Sequence, residues 1–142
     1  MRSWAEGALA LAVTLVLGAG LWLFTGEPVG SDTTDTTTPI VVDTEAAARG
    51  QVLASDTGCL ACHTIDGATG TGPTWKGAAG ATRPLVSGEQ VVADNAYLFL
   101  SIVDPGAQVV RGFEEVLMPD AYSEQLSEQE INDLVEYIKS LS

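Results

Sequence analysis

Cys59-Leu60-Ala61-Cys62-His63 sets two thiols three residues apart and puts an imidazole directly after the second. That is the spacing for covalent attachment of haem. Each cysteine can add across one vinyl group of the porphyrin, and the next residue then turns its imidazole toward the iron, which makes His63 the expected proximal ligand. A bare pair of cysteines at this spacing has other uses, as a thioredoxin-like dithiol, a structural disulfide or half of a zinc site. A zinc site wants about four ligands, whereas the chain has two Cys and one His. A thioredoxin-like pair follows an apolar strand, and here Ser55-Asp56-Thr57-Gly58 precede it instead. Haem is the reading these residues favour.

Iron held on one face needs a partner on the other to be six-coordinate. The single histidine is already used, so bis-histidine ligation is excluded. Besides Met1, the one thioether is Met118, 55 residues beyond His63 and followed by Pro119. Proline fixes the backbone there and keeps the methionine out of a helix. Histidine–methionine ligation favours a fairly positive potential and electron transfer over oxygen chemistry. With both faces filled no small-molecule substrate reaches the metal, and no catalytic residue is expected. The rival is an open or labile sixth site, with Met118 a mere loop filler, as in a haem sensor of gas or redox state.

The segments that must hold these groups read as helices and long loops, an all-α pattern. Thr44 to Ala54 is predicted helical, capped by Asp43 or Thr44, and leads straight into the attachment motif. Gly50 interrupts it at a cost of about 1 kcal/mol against Ala, which points to close approach of another helix. Residues 64–84 hold five glycines and two prolines and read as loop, long enough to wrap a flat ligand. Asp94 caps a second helix ending at Val103, before Asp104-Pro105-Gly106. Residues 106–122 read as a second loop. Ser127-Glu128-Gln129-Glu130 is a capping box, after which Ile131, Leu134, Val135, Ile138 and Leu141 recur at helical spacing. No segment reads as a strand; Gln90–Ala93 is too short.

Residues 1–26 form a separate unit. Gly7 to Gly26 runs 20 residues without a charge, and a helix of that length spans about 30 Å, the hydrocarbon thickness. Trp4 and Trp22 fall near its ends, where indoles prefer the interface. A retained transmembrane anchor is expected; the rival is a signal peptide with Ala8–Leu17 as its apolar stretch and cleavage near Gly18-Ala19-Gly20. Arg2 favours an inside N-terminus, which places the haem motif on the periplasmic side of the cytoplasmic membrane, where haem attachment occurs. Residues 27–43, rich in Thr and Asp, read as a disordered tether with a reach of about 25 Å. Residues 44–142 are the folded domain. The charge of −13, from 19 acids against 6 bases, argues against nucleic acid and complements a basic face on a protein partner.

From Gly50 to Leu141 the chain resembles the class I (monohaem) cytochromes c, most closely the cytochrome c domain fused to subunit II of bacterial haem-copper oxidases. The matching stretches are Gly50, Gly58 to His63, Gly72-Pro73-Thr74-Trp75-Lys76-Gly77, Ala96-Tyr97-Leu98, Ser101 to Pro105, Val109 to Phe113, Met118-Pro119, Leu126 to Ile131 and Leu134 to Lys139. The resemblance implies three main helices and long loops around one covalent haem c. It implies that the Pro73 carbonyl accepts from Nδ1–H of His63, that Gly50 and Tyr137 meet where the first and last helices cross, and that Trp75 lies near the haem edge or a propionate. Tyr97 joins the cofactor-binding set. Ala54 departs from the family, which commonly has an aromatic there, so that contact is weaker or is filled by Tyr97 or Phe99. The copper domain and paired membrane helices of subunit II are missing. The implied function is a membrane-anchored carrier of single electrons, from a quinol-oxidising complex or other donor to a terminal oxidase. The alternative is a fixed subunit of a larger respiratory or photosynthetic redox complex.

Overall fold

The computed structural model describes residues 39–142. The anchor expected at residues 1–26 and most of the tether lie outside them. Among the described residues no helix is long and apolar enough to cross a membrane.

Helix α1 (Thr44–Asp56) begins where the Asp43 carboxylate accepts from the amides of Glu45 and Ala46, both at 3.0 Å. A cap of this kind contributes about 1 kcal/mol. The helix runs two residues further than its sequence suggests and is followed by a single 3-10 turn, Cys59–Ala61, inside the attachment motif. Contacts begin before α1, since Asp43 N donates to Glu136 at 2.9 Å. Helix α2 (Asn95–Val103) is capped by Asp94 through Tyr97 N at 2.8 Å. A short helix, α3 (Tyr122–Gln125), has no side-chain cap. Helix α4 (Glu128–Ser140) carries the capping box complete in both directions between Ser127 and Glu130.

α1 and α4 cross at Gly50. A Cβ there would run into the Asp133 carbonyl and stand 2.9 Å from Tyr137 Cβ. The glycine in mid-helix is therefore the condition for the crossing, and Tyr137 is the residue it meets. Beside it Arg49 Nε and Nη2 donate to the two oxygens of buried Asp133, each at 2.8 Å. The core face of α4 is Ile131, Leu134, Val135 and Ile138, all buried. Each such side chain contributes about 1.5–3 kcal/mol on leaving water. Ala54 is completely buried.

The expectation of no strand is corrected. Strands β1 (Thr82–Pro84) and β2 (Gln90–Val92) pair antiparallel, with Arg83 opposite Val91. The hairpin ties the two loops together. Val86 N donates to Val109 O, and Arg111 N to Pro84 O, both at 2.9 Å. The loop read over residues 106–122 also ends earlier in effect, because Tyr122 opens α3. With three helices of nine residues or more, α1, α2 and α4, the described domain is otherwise helical.

Candidate functional site

The attachment turn and the first loop are stitched together by backbone bonds. Gly72 N donates to Cys62 O at 2.9 Å, and Trp75 N to Thr64 O at 2.8 Å. Thr74 Oγ1 donates to the same Thr64 carbonyl at 3.0 Å. These bonds carry Pro73 alongside the imidazole, where its carbonyl lies 2.7 Å from His63 Nδ1. A ring nitrogen facing a carbonyl must be the N–H, so Nε2 keeps its lone pair. Burial pushes the His63 pKa down, with the Pro73 carbonyl pulling weakly the other way. Burial wins and keeps the imidazole neutral, while the Pro73 bond orients it, and an oriented neutral ring is the form that ligates a metal. The ring is fixed on two further sides. Trp75 stacks on it at 5.1 Å between centroids and 19° between planes. Gly72 lies so close that a Cβ would come within 2.7 Å of His63 Cε1. Tyr137 meets Trp75 in a T-shaped arrangement at 6.0 Å between centroids, linking the imidazole to the helix crossing.

Cys59 is buried and Cys62 exposed, and they are not joined in a disulfide. Thr57 Oγ1 lies 3.2 Å from Cys59 Sγ. Among the described residues no three His, Cys, Asp or Glu side chains converge as a metal-binding group, so the two thiols and the imidazole do not gather on one point.

All seven side chains singled out from the sequence meet one cavity of about 330 Å³: Cys59, Cys62, His63, Pro73, Trp75, Tyr97 and Met118. Met118 arrives on residues 115–126, packed against the core beside Tyr122 and Leu126. The remaining wall is mainly apolar, with Leu98, Ile102, Val110, Leu134 and Ile138 among its members. Sequence reasoning missed Arg83, Gln108 and Tyr122. Arg83 is half-buried in the wall with no carboxylate partner among the described residues. The side-chain oxygen of Gln108 is buried without a partner. None of the three carries a local motif; Arg83 lies in the unforeseen hairpin and Gln108 beside the stretch that the hairpin ties.

This wall fits haem. It offers an apolar slot, two thiols at attachment spacing, one preset imidazole, and an unpaired cation and carboxamide for a charged edge. The cytochrome c family model matches residues 47–142, more than half of the chain, and the chain belongs to that family. A search of curated proteins found no match. As a family member with a single attachment motif, it is an electron-carrying haem protein with covalently bound haem c.

Proposed function

We propose that the chain is a membrane-anchored monohaem cytochrome c that passes single electrons to a terminal oxidase on the periplasmic side of the cytoplasmic membrane. When bound, the haem supplies a one-electron Fe(III)/Fe(II) couple. The residues of the chain hold and bias it. Cys59 and Cys62 form the thioethers. His63 Nε2 is the proximal ligand, oriented by Pro73 and backed by Trp75. Met118 supplies the sixth ligand, and Tyr97 closes the apolar wall. Arg83 and Gln108 are the groups available to the propionate edge. One observation carries this reading: the preset imidazole and the thioether share one apolar cavity. A slot filled from both sides leaves no place for a substrate, which favours carriage over catalysis.

The uncharged stretch from Gly7 to Gly26 and the Thr/Asp-rich residues after it support an anchor and tether. A tethered carrier works at high effective concentration between donor and acceptor. The test is fractionation of cells expressing the full chain with the haem-attachment apparatus. Washed membranes should retain the haem protein, and mild detergent should release it as a single species that a terminal oxidase reoxidises. Recovery in the soluble fraction would remove the anchor, and comigration with a complex would make it a fixed subunit.

A further inference from the structure

Residues 115–126 carry Met118, and their hydrogen bonds are almost wholly internal. Ser123 Oγ bonds to Asp120 O, Glu124 and Gln125 N to Ala121 O, and Leu126 N to Tyr122 O. Among the described residues one hydrogen bond leaves the stretch: Tyr122 Oη donates to Thr57 O at 3.3 Å, across 65 positions of sequence. Thr57 closes α1 two residues before Cys59. No other described donor reaches its carbonyl. Tyr122 also presents its ring to the cavity and sits four residues from Met118. Apart from this bond the limb is held to the body by the partial burial of Met118, Tyr122 and Leu126.

We infer that the Tyr122 hydroxyl is a positioning group that clasps the Met118 limb to the attachment turn and so sets how readily the sixth ligand leaves. The inference rests on the assignment of Met118 as that ligand. Apolar packing is non-directional and tolerates sliding, whereas a hydrogen bond fixes register. An external ligand reaches the iron only when the limb is open. Its apparent affinity is therefore scaled by the open fraction. Loss of one net hydrogen bond raises that fraction about two- to tenfold.

The probe is imidazole, titrated into the ferric full-length holoprotein while following the weak far-red band of a thioether on ferric haem iron. Tyr122→Phe keeps the ring and removes only the hydroxyl. It should bind imidazole about two- to tenfold tighter than wild type, with haem content and helical circular dichroism unchanged. Ser123→Ala, whose hydroxyl bonds only to Asp120, should match wild type. Equal affinities in Tyr122→Phe and wild type would overturn the clasp. So would loss of haem or helix from Tyr122→Phe, which would assign the hydroxyl to the fold instead. Absence of the far-red band from wild type would remove the Met118 assignment, and the clasp with it.

Discussion

Gly72 shows how a residue with no side chain helps to set an imidazole. Its Cα faces the imidazole so closely that Gly72→Ala must push the ring off the Pro73 carbonyl or off Trp75. Overpacking of this kind costs about 1–3 kcal/mol. We expect Gly72→Ala to lower both the haem loaded per chain and the thermal midpoint, measured by the pyridine haemochrome assay and by unfolding. Wild-type loading would show that the loop yields. The ligand candidates were legible because their chemistry is local: two thiols, a histidine and one internal methionine. Gly72 was visible only as part of a motif. Its reason appears when the ring stands above it. Tyr122 and Gln108 had no local signature at all, since an orphaned carboxamide or a long-range hydroxyl is defined by what surrounds it.

Among the elements, the crossing of α1 and α4 organises the rest. Gly50→Ala should separate the two helices and destabilise by about 1–3 kcal/mol or more, read as a lowered denaturant midpoint; a neutral result would deny the close approach. The same seam predicts a pH response. The Arg49 guanidinium, bonded to Asp133, holds that carboxyl below its ordinary value against the opposing effect of burial. A carboxylate depressed in the folded state contributes stability above its unfolded pKa of about 3.9. That contribution is lost as pH falls through the lower folded value. The denaturant midpoint of wild type should therefore fall in acid more steeply than that of Asp133→Asn, and parallel pH curves would contradict the assignment. Helices α1, α2 and α4 were readable from Asp43, Asp94 and the Ser127 box because caps and periodicity are written in sequence. The hairpin was not, since three-residue strands, one of them containing Arg83 and Pro84, are too short to display an alternating pattern. Helix α3 was missed because it lacks a capping side chain.

For the whole molecule, charge is the property that sequence states most directly. A chain at −13 should meet its electron acceptor through a basic face, so association should slow with salt. We expect the second-order rate of electron transfer to a basic partner to fall at least about tenfold from low to high ionic strength; a flat dependence would assign the acids to solubility alone. The cavity is a property of the same scale. It takes residues from the attachment turn, both loops, α2, α3 and α4, and no stretch of sequence displays it by itself. The central proposal it supports is an iron held between His63 and Met118. The most direct test is a redox titration of full-length Met118→Ala against wild type, with the ferric spectrum recorded at each point. We expect the far-red thioether band to vanish and the potential to fall, since methionine ligation raises it. An unchanged band and an unchanged potential would show that Met118 is not the ligand.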